Sequence, residues 1–510
     1  MENEKLPIKF FAPREVDELR IEGNKNSEKP KWVLRGKELK QRADSLRLSL
    51  DSLETKFSMR KSSPVPFSFI VKLQSDATAK SKREDITNLF EQKSFGGVVG
   101  LTDTNKLIVA LDSLEELKEV ANRINDYEIN DYAISCIEDF EEFVPYIVKG
   151  KKECNYKIKL VDYQNYEQNL AMRRRLEHTL NKEGIDYTKT DYSEEYYIYK
   201  LRNITEKSLD VLKKADIFNA LFSIEPMPKY KVSLDCLKSD NNIPIKKPDD
   251  EKMYITIGIL DNGIANIPHL SPWMEMDRWS PYPKTSINPT HGTFVSGIAL
   301  YGDECEGKIW VDHKGLKIFD AAVFPDVTKE GLDEDELIAN IKDVIRLYHE
   351  KVKIWNLSIS ITREVIDTKF SDFAIALDSI QDEYNVLICK SAGNCENFTV
   401  SRPKGRIHEG ADSVRSLVVR SVAHKKGKYD YAEVNDPSPF SRVGPGPEYI
   451  IKPEVSHYGG NAGIDPKGRV VTSGVKSFSK EGELAQGVGT SFSTPRITAL
   501  AAGLQQELNE

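Results

Sequence analysis

The sequence predicts an α/β protein built on a parallel sheet with helices on both faces, preceded by two small α/β modules. Three observations carry this. From residue 253 on, apolar and β-branched runs at about 254–260, 316–323, 353–359, 385–390 and 416–423 alternate with helical patterns at about 292–301, 333–349 and 371–383. Such alternation makes a parallel sheet, because each crossover helix returns the chain to the same end of the sheet. Two earlier segments each read β-α-β-β-α-β. Finally, 39% hydrophobic and 30% charged residues over 510 positions belong to a globular chain of several domains.

Residues 1–63 read as a leader, rich in Pro, Gly, Asn and Lys over 22–33. Within it, Gly36 to about Phe57 predicts an amphipathic helix, with Leu39, Leu46, Leu50, Leu53 and Phe57 on one stripe. A lone helix of this length is marginal, so it is expected to dock on something. Residues 64–148 form the first module: a strand at 67–73, a helix at 82–92, strands at 96–101 and 106–111, a helix at 114–124 and a less marked last strand. Residues 149–237 form the second: a strand at 156–160, a helix at 166–182, strands at 185–189 and 193–201, a helix at 205–214 and a strand at 218–225. This element order is the ferredoxin-like signature. The run Arg173-Arg174-Arg175 reads as a solvated helix face. A linker at 238–252 is polar and Pro-bearing, hence exposed and open to cleavage. Residues 253–510 are the large domain.

Four segments of that domain carry chemistry. Tyr254 to Leu260 is a buried-strand run that delivers Asp261 at its C-terminal end, where open α/β sheets bind ligands. His291 opens a helix whose apolar face is Phe294, Val295, Ile298 and Ala299. Val386 to Lys390 is a second strand, ending in Ser391-Ala392-Gly393-Asn394; an Asn amide donates without carrying charge, as an oxyanion donor should. Ser491, within Gly489-Thr490-Ser491-Phe492-Ser493-Thr494-Pro495, begins an apolar helix, where orphan N–H groups and the helix dipole favour negative charge. Each segment alone is an ordinary turn or helix cap. Their combination is specific.

The order Asp261, His291, Asn394, Ser491 in these contexts resembles the subtilisin-like serine proteases, the subtilases, whose Asp…His…Ser order is a known family property. Pro439-Phe440-Ser441-Arg442-Val443-Gly444-Pro445 and Ile451-Lys452-Pro453-Glu454-Val455 look like segments this family carries between the oxyanion Asn and the nucleophile. The resemblance covers about 250–510 and implies a subtilisin-like parallel sheet and a serine endopeptidase. Ser491 would attack the peptide carbonyl, His291 take and return its proton, Asp261 orient His291, and Asn394 hold the oxyanion. It also implies that Leu357, Ser358, Ile359 and Ser360 line one side of the substrate cleft and Ser391, Ala392 and Gly393 the other. Ser360 stands where the family often has Gly, which would crowd the pocket for the side chain before the cleaved bond. No carboxylate is aimed there, so a preference for basic residues is not expected. Family propeptides have a small α/β fold just before the catalytic domain, so the second module resembles one and implies a zymogen; the alternative is that both modules are permanent docking domains.

A looser resemblance, to bacterial cytoplasmic subtilases found beside an AAA-type ATPase in phage defence, implies a separate ATPase partner; this chain has no Gly-rich phosphate loop ending in Gly-Lys-Ser/Thr. General intracellular turnover, or a latent protease fold acting as an interaction module, are the competing roles. Net charge −8 and pI near 5.7 argue against nucleic-acid binding, and no apolar run is long enough to span a bilayer. Cys136, Cys154, Cys236, Cys305, Cys389 and Cys395 are scattered, and Met1 to Pro7 lacks a signal-peptide core, so a cytoplasmic protein is expected. No cofactor is expected; calcium is common in the family, but no compact acidic loop or histidine cluster marks a metal site. The chain stops at Glu510, soon after the Ser491 helix, where the family's domains usually continue. That departure leaves open whether the catalytic domain is complete.

Overall fold

The computed structural model describes residues 32–59, 64–75, 83–91, 96–103, 105–150, 154–202, 204–230, 237–238, 243–326, 331–359, 363–395, 398 and 405–509. Ser360, Cys236, the leader before residue 32 and part of the linker lie outside the described residues. The chain divides into two units, one of residues 1–144, 161–174 and 216–220, the other of residues 145–160, 175–215 and 221–510.

The first unit begins with helix α1 (Gly36–Met59), which buries Leu39, Ala43, Leu46, Leu50 and Leu53 at alternating four- and three-residue spacing. That stripe shares a core with Phe67, Phe69 and Val71, so the amphipathic helix docks on the first module's sheet. The module runs β1 (Phe67–Leu73), α2 (Arg83–Phe90), β2 (Gly96–Asp103), β3 (Lys106–Leu111), α3 (Leu114–Asn125), α4 (Asp131–Cys136) and β4 (Ile137–Glu142). Its antiparallel sheet has the order β2-β3-β1-β4.

The second β-α-β-β-α-β set is β6 (Tyr156–Leu160), α5 (Tyr166–Lys182), β7 (Tyr187–Ser193), β8 (Tyr196–Leu201), α6 (Glu206–Lys214) and β9 (Leu221–Pro226), after a short β5 (Tyr146–Ile147). The sheet order is β5-β9-β6-β8-β7, the same arrangement of the repeat as in the first module. Within the arginine run, Arg174 is exposed but Arg173 is buried, which departs from the solvated-face reading. Two short strands follow, β10 (Lys229–Tyr230) and β11 (Leu237–Lys238).

The large domain then runs β12 (Thr256–Asp261), α7 (Thr290–Glu306), β13 (Lys317–Ala322), β14 (Leu332–Asp333), α8 (Glu334–Tyr348), β15 (Ile354–Leu357), α9 (Asp372–Tyr384), β16 (Leu387–Ser391), β17 (Leu417–Val422) and β18 (Val455–Tyr458). Its main sheet is parallel, ordered β13-β12-β15-β16-β17-β18. Five of these strands are the predicted ones. β18 is an addition: Val455-Ser456-His457-Tyr458 lacks an apolar run, and pairing with β17 makes it a strand. Small antiparallel pairs, β19 (Asn461–Ile464) with β20 (Val470–Ser473) and β21 (Val475–Phe478) with β22 (Leu484–Gly487), lead to the last helix, α10 (Thr490–Asn509).

One face of the second module's sheet packs on α8 and α9. Tyr192, Ile198 and Tyr230 share a core with Leu337, Ile341, Phe373 and Leu377. Lysines of the same sheet are buried with them: Lys157 Nζ lies 2.6 Å from Asp372 and 3.1 Å from Glu334, and Lys200 Nζ lies 2.9 Å from Asp333. The acids occupy or adjoin the first turns of α8 and α9, where the helix dipole already favours them.

Candidate active site

The ends of β12 and α7 are joined side by side. Asp261 closes β12, is fully buried, and accepts the Asn262 N–H on Oδ1 at 2.8 Å. His291 stands in the first turn of α7. Behind it Gly292 packs so closely that a Cβ there would lie 2.3 Å from the Gly263 carbonyl oxygen, so only glycine lets helix and strand end meet. The Asn262 side chain accepts the Gly292 N–H at 3.1 Å, and the Thr293 hydroxyl accepts the Ala265 N–H at 2.8 Å. In consequence His291 Nδ1 lies 2.9 and 2.8 Å from the two Asp261 oxygens. A carboxylate only accepts, so Nδ1 is the nitrogen that donates to Asp261, and Nε2 is the one left for other partners.

Asp320 of β13 adds a charge that sequence reading missed. Its Oδ2 accepts from Arg278 Nε at 2.6 Å and from the Ile264 N–H at 3.0 Å. Burial pushes this carboxyl up to about 6 against the pull of Arg278, and the Asp261 charge adds to the rise.

Ser491 is the second residue of α10. Its hydroxyl donates to the Ser358 carbonyl at 2.8 Å rather than to His291. The Ser358 hydroxyl in turn donates to the Ser491 carbonyl at 2.9 Å and accepts from Asn356 Nδ2 at 2.9 Å. Pro495 explains why that carbonyl is available: it stands four residues on and has no N–H to give back. Phe492, next to the serine, stacks toward the His291 ring at a centroid distance of 5.9 Å.

Asn394 follows β16 through Gly393, whose φ of +101° suits glycine. Its Oδ1 accepts from the Thr490 N–H at 2.9 Å and from the Thr490 hydroxyl at 3.0 Å. A backbone N–H can only donate, so the amide's orientation is fixed and Nδ2 is the group turned away from Thr490. Thr490 was not singled out from the sequence; its place just before the serine was the available signal.

The structure thus brings Asp261 and His291 together, and Asn394 and Ser358 each to the start of α10. The other expected cleft residues behave differently. Leu357 and Ile359 turn their side chains into the core around Trp355, and Ala392 into one with Val365 and Ile407. The Ser391 side chain is buried and donates to the Ile359 carbonyl at 3.3 Å. Among the described residues no group of three or more His, Cys, Asp and Glu could hold a metal, no disulfide joins the cysteines, and no helix is long and apolar enough to cross a membrane. Burial pushes the Cys389 thiol up to about 12, as for a cysteine that packs as a small hydrophobe in the core.

Comparisons with known proteins find a family model, a relative and several solved structures. An uncharacterized protein of Sinorhizobium fredii, y4bN, is 30% identical over 181 residues, and the chain spans 42% of that relative's length. Among solved structures, the epidermin leader peptide processing serine protease of Staphylococcus aureus is 14% identical with a TM-score of 0.44, over 70% of this chain and 89% of that one. The A-subunit of the AB5 toxin from E. coli is 18% identical with a TM-score of 0.31, over 49% of this chain and 78% of that one. The family model described as the Subtilase family matches residues 253–510, just over half of the chain and the whole stretch from Asp261 through Ser491. This chain belongs to the subtilase family.

Proposed function

We propose that the chain is a serine endopeptidase that hydrolyses peptide bonds through an acyl-enzyme on Ser491. The observation that carries this reading is the pairing of His291 with Asp261: with Nδ1 committed to the carboxylate, Nε2 is the nitrogen that can serve as base. For attack, the Ser491 hydroxyl exchanges its bond to the Ser358 carbonyl for one to His291 Nε2. Breaking that bond costs about 0.5–1.5 kcal/mol, small beside the gain of activation. The oxyanion forms where Asn394 Nδ2 and the Ser491 N–H can donate. His291 then passes the proton to the leaving amine, and water releases the acyl group. Asn394→Ala is expected to lower kcat about a hundred- to a thousandfold with KM little changed, measured on a fluorogenic peptide.

The second module is a regulator in this reading. β10 pairs antiparallel with β14, with Tyr230 fully buried. The module is therefore joined to the large domain by backbone pairing as well as by the buried ion pairs. Fluorophosphonate labelling of wild type beside Ser491→Ala, with intact mass before and after incubation, tests both readings. Labelling that depends on Ser491 supports the protease. Ser491-dependent cleavage near 238–252 supports a zymogen, and its absence makes the module a permanent regulator. No labelling of the folded chain would sink the protease reading in favour of a latent interaction module.

The looser likeness to defence subtilases supports a role beside a separate AAA-type ATPase in the cytoplasm; copurification of an ATPase would bear this out. Digestion of unfolded protein by the isolated chain would favour general turnover instead.

A further inference from the structure

The parallel strands β15 and β16 are in register up to Leu357 and Lys390 and part beyond them. One arm of the fork leads to Ser358, at the Ser491 hydroxyl; the other leads through Gly393 to Asn394. By the family resemblance read from the sequence, a substrate side chain next to the cleaved bond would enter between them.

The fork is lined by basic groups. Lys390 is fully buried, and its ammonium donates to the carbonyls of Ile359 and Ser391, one on each arm. Burial lowers it to about 7. Arg442 donates from Nε to the Asn394 carbonyl at 2.9 Å, and its outer nitrogen pairs with the half-exposed Glu364 at 2.5 Å and donates to the Arg406 carbonyl at 2.8 Å. His408 lies against Gly393: a Cβ on that glycine would stand 2.5 Å from His408 Nδ1. The imidazole is buried, yet neither ring nitrogen has a hydrogen-bond partner. Burial, then Arg442 and Lys390, hold it down at about 3.

A buried imidazole with two idle nitrogens is a poor wall residue, since an apolar side chain would fill the volume without stranding polar atoms. Its two cationic neighbours make the potential at the ring positive. A positive site with an unspent N–H donor suits an anionic acceptor.

We propose that this fork receives an acidic side chain, Asp or Glu, at the substrate residue just before the cleaved bond, with His408 as the specificity-determining residue and Lys390 and Arg442 as the charges behind it. The inference rests on the endopeptidase reading and names its substrate class. A carboxylate entering the fork would accept from His408 N–H and draw a second proton onto the ring.

The test separates the two ideas. The full chain carrying Ser491→Ala is titrated calorimetrically with product-like peptides, alike except for a C-terminal Asp, Glu, Gln or Leu. The Asp and Glu peptides are expected to bind at least tenfold more tightly than the Leu peptide, and His408→Leu to shrink that ratio at least tenfold. His408→Gln, which keeps a donor, should retain part of it and guards against a merely misfolded variant. Equal binding of all four, no binding, or a Gln or Leu preference would overturn the proposal. Fluorophosphonate labelling of the wild type reports on the protease reading independently, so a labelled serine without acidic preference sinks the specificity alone.

Discussion

Replacing Ser491 with alanine is expected to lower kcat about a millionfold, the scale seen when subtilisin itself loses its nucleophile. The same variant should lose fluorophosphonate labelling. It should stay folded, because the hydroxyl's bond to the Ser358 carbonyl is worth only about 0.5–1.5 kcal/mol. Adding His291→Ala to Ser491→Ala should cost almost nothing more, since base and nucleophile act as one unit. Progress curves on a fluorogenic peptide, single variants beside the double, would check this. If Ser491→Ala kept more than a thousandth of the wild-type rate, another group would be the nucleophile. If the two losses multiplied, His291 would not be the base that serves Ser491.

The second large effect is on stability. Asp372 is shared by Lys157 at 2.6 Å and Lys159 at 3.3 Å, both buried, and by the partly buried Tyr196 hydroxyl at 2.6 Å. Asp372→Ala leaves two buried ammonium groups short of a partner and should destabilise the unit by about 3–5 kcal/mol, read by urea unfolding. A cost under about 1 kcal/mol would mean that water reaches the cluster. Burial alone would raise the Asp372 and Glu225 carboxyls, but the neighbouring lysines more than reverse this and hold both below the usual range, Glu225 at about 2. Their stabilising contribution is therefore complete above the unfolded carboxylate values. It is lost only as pH falls through the lower folded values. Of this pair of carboxylates, neither gives way at pH 5, so mild acid acting through them should not weaken the docking of the second module on α8 and α9. Buried pairs are also weakly screened, so raising salt to about 0.5 M should change little.

Much of this was legible from residue types alone. β12, β13, β15, β16 and β17 announce themselves as apolar runs, and the Asp, His, Asn and Ser positions stand at strand ends or helix starts for reasons of sheet topology and helix electrostatics. What stayed hidden depends on pairing at long range. Tyr156-Lys157-Ile158-Lys159-Leu160 reads as a strand with one wet face, yet both lysines are buried because α8 and α9 bring acids to that face. The idle imidazole of His408 was invisible too, since nothing in its neighbourhood along the chain announces Gly393 or Arg442. Thr490 was not singled out; its hold on the Asn394 amide appears only when β16 and α10 meet.

The missing N–H of Pro495 has a mechanical consequence. Because the Ser491 carbonyl is taken up by the Ser358 side chain and not by its own helix, the reacting serine is tethered crosswise to the tip of β15 by two hydrogen bonds running in opposite directions. Any shift of that strand tip is therefore carried to the nucleophile through hydrogen bonds alone, with no covalent route between them.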